Sequence, residues 1–163
     1  VSLFFQFAEA GFTIDMALRL MNAAMIFGAE AERFSTLDAC LVDEYTGIVD
    51  CYKVGAHVSF VRHKRRTEVI EADSLPMGAS ASLEALPFRS YLEAGDYLVL
   101  VTDGVLEYLQ VEDAVEMLRQ LIEELADTDA VTFARKIIER VLLFTGGTAA
   151  DDMTVLVLKA LER

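Results

Sequence analysis

Hydrophobic positions recur at helical spacing through the first 25 residues of the chain. The stripe is interrupted near Gly11, and Thr13 is placed to cap a following helix, so we predict two helices or one broken helix. The rhythm then changes to short runs rich in β-branched residues, separated by turn residues. Because their connections are short, these runs predict an antiparallel meander of four strands, at 36–42, 48–55, 58–62 and 67–72.

Three further strands are predicted in the second half of the chain. Residues 88–92 and 97–102 are predicted to form a hairpin around the turn at 93–96, and a last strand is predicted at 153–158. The strands at 97–102 and 153–158 are apolar on both faces. This pattern predicts that both strands are covered on two sides.

Two amphipathic stripes between these strands predict helices, the first over apolar positions within 111–125 and the second with an N-cap at Asp129. The order of helices, strands, helices and a strand predicts an α+β fold with antiparallel sheet. We expect a single domain over 1–163, with helices at about 1–27 and the sheet and C-terminal helices at about 34–160.

The composition is that of a globular protein with an acidic surface. Hydrophobic residues make up 54 % of the 163 residues and charged residues 25 %, which excludes an intrinsically disordered chain. The formal net charge of −13 argues against nucleic acid or an anionic membrane surface as a partner. The apolar runs are shorter than the roughly 20 residues that span a bilayer.

Two cysteines and the lack of a signal peptide indicate a reducing, cytoplasmic setting. The chain begins without Met inside an apolar segment, so we expect it to belong to a longer protein, which a membrane segment elsewhere could anchor. Cys40 and Cys51 fall opposite each other if the turn at 44–47 sets the register. We interpret them as reduced, packed thiols, with a disulfide or a metal site as the alternatives.

Two further polar features have more than one interpretation. The basic run at 62–66 is interpreted as a solvated hairpin tip, with contact to an acidic or phosphorylated partner as the alternative. His57 follows a turn, and we favour a role in stabilising that turn over a place near an active site.

Two acidic motifs adjoin the strands that are apolar on both faces. Asp103-Gly104 follows one strand, and Asp151-Asp152 precedes the other. If these strands are antiparallel neighbours, Asp103 and Asp151 lie side by side at one edge of the sheet, where carboxylates repel one another unless a cation neutralises them. Such oxygen ligands suit Mg²⁺ or Mn²⁺, and Gly104 would let the backbone approach closely. The alternative for each motif is an ordinary turn or loop end.

Several short segments resemble the metal-dependent serine/threonine protein phosphatases of the PPM family. The resemblance covers about residues 34–159, with 14–25 similar to the helix before the sheet. Within the family the chain is most similar to the bacterial branch typified by stage II sporulation protein E and by regulators of sigma-factor partner switching. The segments that carry it are Phe34-Ser35-Thr36-Leu37-Asp38, Lys53-Val54-Gly55-Ala56-His57, Leu75-Pro76-Met77-Gly78, Val101-Thr102-Asp103-Gly104-Val105-Leu106-Glu107 and Asp151-Asp152-Met153-Thr154-Val155.

The resemblance implies a layered sandwich of antiparallel sheets flanked by helices, with a site for two Mn²⁺ or Mg²⁺ ions. Asp103 and Asp151 would be metal ligands and would serve catalysis through the bound metal. Asp152 and Thr154 would orient those ligands, and Gly104 would shape the backbone around them. The reaction implied is direct attack on the phosphorus by a water that the metals activate.

The substrate that the resemblance implies is phosphoserine or phosphothreonine on a regulatory protein of the anti-sigma-factor antagonist type, in sporulation or partner-switching signalling. Family members also have an Asp-Gly-Met-Gly motif upstream of the first long helix, which this chain does not contain. We therefore expect an N-terminally truncated domain with weak or no activity by itself. The alternative is a regulatory or interaction module without turnover, and a second copy of the chain could cover an exposed sheet edge.

Overall fold

The computed structural model describes residues 2–28, 34–56, 58–64, 66–83, 87–109, 111–144 and 152–162. Within these ranges the chain forms five helices and seven strands. The helices are α1 (Ser2–Glu9), α2 (Ile14–Gly28), α3 (Asp103–Leu109), α4 (Ala114–Glu124) and α5 (Ala130–Phe144). The strands are β1 (Leu37–Val42), β2 (Ile48–Val54), β3 (Val58–Arg62), β4 (Thr67–Glu71), β5 (Phe88–Tyr91), β6 (Tyr97–Val101) and β7 (Val155–Lys159).

The chain divides into two compact units. The first contains Val1–Cys40, Cys51–Ala56 and Ala72–Phe88, and the second contains Leu41–Asp50, His57–Glu71 and Arg89–Arg163. No helix of the described ranges is long and apolar enough to cross a membrane.

The first unit contains the helical pair α1 and α2. Gly11, with a φ of +83°, separates the two helices, and the Thr13 hydroxyl accepts a hydrogen bond from the Met16 amide at 3.4 Å. This confirms the predicted break and N-cap. The apolar face of α2 places Leu18 in a buried cluster with Val54 and Met77.

The second unit is built on a four-stranded antiparallel sheet with the order β4-β3-β6-β7. One face of this sheet packs against α3, α4 and α5, and Tyr97, Phe60 and Phe133 are its largest fully buried side chains. The Tyr97 and Phe133 rings stack with their centroids 4.3 Å apart. The α+β fold with antiparallel sheets and flanking helices is therefore confirmed.

The predicted strand pairing is correct in part. β6 and β7 are antiparallel neighbours, as predicted from their two apolar faces. The single meander and the β5–β6 hairpin are wrong, because β1, β2 and β5 form a separate three-stranded sheet. Both edges of β6 are already paired, one with β3 and the other with β7, so β5 has no free edge of β6 to join.

Candidate functional site

The pairing of β6 with β7 fixes the position of both acidic motifs. The register runs from Tyr97 opposite Lys159 to Val101 opposite Val155. Two hydrogen bonds continue it: the Thr102 amide donates to the Thr154 carbonyl at 3.1 Å, and the Thr154 amide donates to the Thr102 hydroxyl at 2.9 Å. The end of β6 therefore lies beside the segment that leads into β7.

Asp103 lies directly beyond this pairing, as the first residue of α3. Its side chain is exposed, and its Oδ1 accepts a hydrogen bond from the Gly104 amide at 3.0 Å. The helix was not predicted, because seven residues are too few to show a periodic stripe. Val105 and Leu109 of α3 are buried in the core of the second unit, which anchors the helix that begins at Asp103.

Gly104 makes the close contact between the two acidic motifs. A Cβ built on Gly104 would lie 2.3 Å from the Asp152 carbonyl oxygen and 3.2 Å from its carbonyl carbon. Gly104 does not have a positive φ, so glycine is required here by space and not by a left-handed backbone. This close approach places the backbones of Asp103-Gly104 and Asp152 at the same edge of the sheet.

The predicted site residues are only partly within the described ranges. Asp103, Gly104, Asp152 and Thr154 are described, and the Asp152 and Thr154 side chains are exposed. Asp151 and His57 lie outside the described residues. The predicted distance between the Asp103 and Asp151 carboxylates therefore stays a prediction.

The donor chemistry at this edge suits a hard divalent cation. Asp103 and Asp152 both carry carboxylates, and oxygen ligands of this kind are those that Mg²⁺ and Mn²⁺ prefer. Among the residues that the structure describes, however, no group of three or more His, Cys, Asp or Glu side chains could hold a metal ion.

The Phe34–Asp38 and Lys53–Ala56 segments meet in the first unit through an ion pair. Lys53 Nζ lies 2.7 Å from Asp38 Oδ2, and the Lys53 side chain is only 2 % exposed. This ion pair was not predicted from the sequence. Its signal is positional: on two strands joined by a short turn, Asp38 and Lys53 lie equally far from that turn.

The Leu75–Gly78 segment joins the same unit through backbone contacts. Ser35 and Met77 exchange two backbone hydrogen bonds, of 3.1 and 2.8 Å. Gly55, with a φ of +60°, lies so close to Pro76 that a Cβ would be 2.6 Å from the Pro76 Cα. The buried Asn22 of α2 accepts a hydrogen bond from the Gly78 amide at 2.7 Å.

The interpretation of the basic run at 62–66 as a solvated hairpin tip is wrong for its first two residues, Arg62 and His63. The Arg62 guanidinium is buried, donates to Asp127 Oδ1 at 2.7 Å and to the Leu125 carbonyl at 2.8 Å, and lies over the Tyr97 ring. His63 Nδ1 lies 2.7 Å from Asp96 Oδ2. The Tyr97 ring and the buried Leu125 carbonyl hold Arg62 away from solvent, and the buried Asp96 carboxylate does the same for His63.

Comparison with known proteins settles the family. Residues 1–161 match the family described as Stage II sporulation protein E (SpoIIE). The chain belongs to the stage II sporulation protein E family. The resemblance drawn from the sequence motifs is thereby confirmed.

Individual relatives agree with this assignment. Over 155 residues the chain is 31 % identical to Stage II sporulation protein E of Priestia megaterium, covering 94 % of this chain and 26 % of that protein. Phosphoserine phosphatase RsbU of Bacillus subtilis is 33 % identical over 92 residues, which cover 55 % of this chain and 28 % of that protein. The chain thus spans about a quarter of the length of these relatives.

A solved structure shows the same fold. It contains the PP2C phosphatase domain and a fragment of the regulatory domain of SpoIIE from Bacillus subtilis, and it is similar to this chain with a TM-score of 0.87 at 26 % identity. The match covers 97 % of this chain and 48 % of that chain. The α+β fold of this chain is therefore that of a PP2C phosphatase domain.

Proposed function

We propose that this chain is part of a metal-dependent protein phosphatase domain that hydrolyses phosphoserine or phosphothreonine. The observation that carries the proposal is the close approach of Gly104 to Asp152, which brings the two acidic motifs to one edge of the β6–β7 pair. The similarity to a protein named phosphoserine phosphatase supports the choice of reaction. In this proposal both compact units belong to the same catalytic domain.

Asp103 and Asp151 are the proposed metal ligands. Asp103 stands at the end of a paired, buried strand, so its backbone is held in place. Asp152 follows Asp151 directly, and neighbouring residues of an extended chain point to opposite sides, so Asp152 and Thr154 are proposed to orient the ligands. A bound Mn²⁺ or Mg²⁺ would supply charge neutralisation at the phosphoryl oxygens and activation of the attacking water.

The charge of the site explains why a cation is needed. A phosphate ester is anionic, and the exposed carboxylates of Asp103 and Asp152 would repel it from this edge. The protein as a whole carries a formal charge of −13, which adds to the repulsion. Aspartates at this edge therefore favour phosphoryl transfer only when divalent cations lie between them and the substrate.

The proposed substrate is a phosphorylated regulatory protein of the anti-sigma-factor antagonist type. This finer assignment rests on the resemblance to the sporulation and partner-switching branch of the family. We also propose that the domain lies in the cytoplasm. A homodimer in which a second copy covers an exposed sheet edge is part of the same proposal.

A non-catalytic regulatory module is the second candidate function. It is favoured by one observation: within the described ranges, no three His, Cys, Asp or Glu side chains form a group that could hold a metal ion. The two candidates differ in whether ligands from outside those ranges complete the site. A measurement of turnover distinguishes the two candidates, whereas the fold is the same for both.

The experiment measures hydrolysis of para-nitrophenyl phosphate against Mn²⁺ concentration. It uses this chain and the same chain extended at its N-terminus with the segment that precedes the matched region in SpoIIE from Bacillus subtilis. We expect very poor turnover by the chain alone and ready turnover by the extended protein, because the resemblance places further metal-ligating aspartates in that segment. Inactivity of both, with folding confirmed by circular dichroism, would favour the regulatory module.

Two matched substitutions in the extended protein separate ligand from bystander. Asp103→Asn should abolish turnover at any practical Mn²⁺ concentration, because a neutral amide with one donor oxygen replaces a carboxylate at a fixed strand end. Asp152→Asn should retain turnover, with a loss of at most about 10–100-fold. A folded Asp103→Asn variant with undiminished turnover would remove its role as a ligand.

A further inference from the structure

Cys40 and Cys51 occupy opposite positions on the hairpin formed by β1 and β2. The Asp43 amide donates to the Ile48 carbonyl at 2.9 Å and marks the end of the hairpin. Counting three residues back along each strand leads to Cys40 and Cys51, whose side chains are in contact. Because hydrogen-bonded and non-hydrogen-bonded pairs alternate along antiparallel strands, this step leads to a non-hydrogen-bonded pair.

Non-hydrogen-bonded pairs are the closer of the two kinds. Their Cα atoms are typically about 4.5 Å apart. Disulfides span Cα separations of roughly 4.4–6.8 Å, so the two backbones need little or no movement to accommodate one. The position of the pair is therefore compatible with a covalent cross-link.

The two thiols are in direct contact. Cys40 Sγ lies 2.7 Å from Cys51 Sγ, and both cysteines are free. Non-bonded carbon atoms, which are smaller than sulfur, pack at roughly 3.5–4.0 Å. The two sulfur atoms are thus closer to each other than non-bonded atoms of their size ordinarily pack.

The surroundings of the pair favour the thiol state at rest. Cys51 is buried and Cys40 is half-buried, so a small oxidant can reach the pair through Cys40. The hydrogen bond to Cys51 and burial raise the pKa of the Cys40 thiol above its usual range. Among the described residues no cluster of metal-ligating side chains includes these two cysteines.

We propose that Cys40 and Cys51 form an oxidation site that a peroxide-class oxidant closes reversibly to an intrachain disulfide. The thiolate sulfur of Cys40 attacks one oxygen of hydrogen peroxide, the O–O bond breaks, and the departing hydroxide takes up a proton to give water. Cys51 sulfur then attacks the sulfur of the resulting Cys40 sulfenic acid, the S–O bond breaks, and a second water leaves with the Cys51 proton.

The electrons balance in this sequence. Two thiols are oxidised to one disulfide, and one peroxide is reduced to two waters. A dithiol reductant restores both thiols by exchange. The proposal concerns only the first compact unit and does not depend on phosphatase activity.

The test treats the whole chain with hydrogen peroxide and measures its intact mass and its free thiols after unfolding. We expect a monomer that has lost the mass of two hydrogen atoms and both thiols, and that regains both on reduction with dithiothreitol. The rate should rise about tenfold per pH unit near neutrality, because the raised pKa of Cys40 leaves little thiolate there.

Cys40→Ser and Cys51→Ser are the matched controls. Each leaves one thiol, so neither can lose two hydrogen atoms within one chain, and oxygen addition or disulfide-linked dimers are expected instead. The proposal is overturned if the unaltered chain gains oxygen without closing the disulfide, or forms only dimers. It is also overturned if the chain keeps both thiols even at alkaline pH, where the Cys40 thiolate becomes available.

Discussion

At the scale of single residues, the absence of a side chain at Gly104 allows its backbone to lie close to that of Asp152. We predict that Gly104→Ala destabilises the protein by about 1–3 kcal/mol, as overpacking usually does. The reason is that the new Cβ would meet the Asp152 carbonyl, which is backbone and cannot rotate away. The measurement is the free energy of unfolding in urea.

Gly28→Ala is the control for this prediction. Gly28 ends α2, and a Cβ there would have nothing within 4 Å. Alanine has the higher helix propensity, so this change should be neutral or slightly stabilising. Equal effects of the two substitutions would show that the approach of Gly104 to Asp152 is not tight.

The position of Asp103 could be predicted from the sequence because two local patterns determine it. Each acidic motif adjoins a strand that is apolar on both faces, and central antiparallel strands bring such ends together. Lys53 and Arg62 were not anticipated, since their partners, Asp38 and Asp127, are set by hairpin register and helix docking. Asp38 and Lys53 are marked only by their equal spacing from the turn between their strands, and Arg62 and Asp127 share no such pattern.

At the scale of elements, β6 decides what the sequence could and could not predict. Its two apolar faces correctly placed it inside a sheet, beside β7. The short connection from β5 to β6 suggested a hairpin, but β3 and β7 occupy both edges of β6. Proximity along the chain thus gave the wrong partner, because the hydrogen-bonding edges of a strand can each be used only once.

The helix α5 has a predicted N-cap that the structure confirms. Asp129 Oδ1 accepts a hydrogen bond from the Thr132 amide at 2.9 Å. Hydrogen bonds from Thr132 lower the pKa of Asp129 to about 2 from its ordinary value of 3.8. Since the pKa is lowered in the folded state, the stabilisation by this carboxylate is present above about pH 4 and is lost as the pH falls through about 2.

We therefore predict that Asp129→Asn changes the pH dependence of stability. Asparagine caps helices about as well as aspartate but does not titrate. It therefore never carries the negative charge that stabilises the positive N-terminal end of the helix. The original chain should be the more stable at pH 6, and the difference should vanish towards pH 2. Urea midpoints at several pH values measure this, and a difference that does not change with pH would contradict the assigned role.

At the scale of the whole molecule, the motifs fall into two groups. The Phe34–Asp38, Lys53–Ala56 and Leu75–Gly78 segments lie in the first compact unit, where an ion pair and backbone contacts join them. Asp103, Gly104 and Asp152 lie in the second unit, beyond the end of the β6–β7 pair. The order of elements predicted the α+β class, but it could not predict that the strands form two sheets, because that division depends on pairings distant in sequence.

The charge of the whole molecule leads to the last prediction. The chain has 27 acidic and 14 basic side chains, and many of its ion pairs, such as Arg19–Asp15, are exposed. Exposed pairs contribute little, whereas net repulsion among like charges opposes the compact state. Raising the salt concentration from 0.01 to 0.1 M shortens the Debye length from roughly 30 to roughly 10 Å and screens that repulsion.

We therefore expect the melting temperature at pH 7 to rise with sodium chloride over this range. The buried Lys53–Asp38 pair is shielded from salt by its surroundings, so its contribution should persist while the repulsion weakens. Urea unfolding at the same salt concentrations is the second measurement, because urea adds no ions. A melting temperature that falls with salt would mean that local attraction between opposite charges outweighs the net charge of −13.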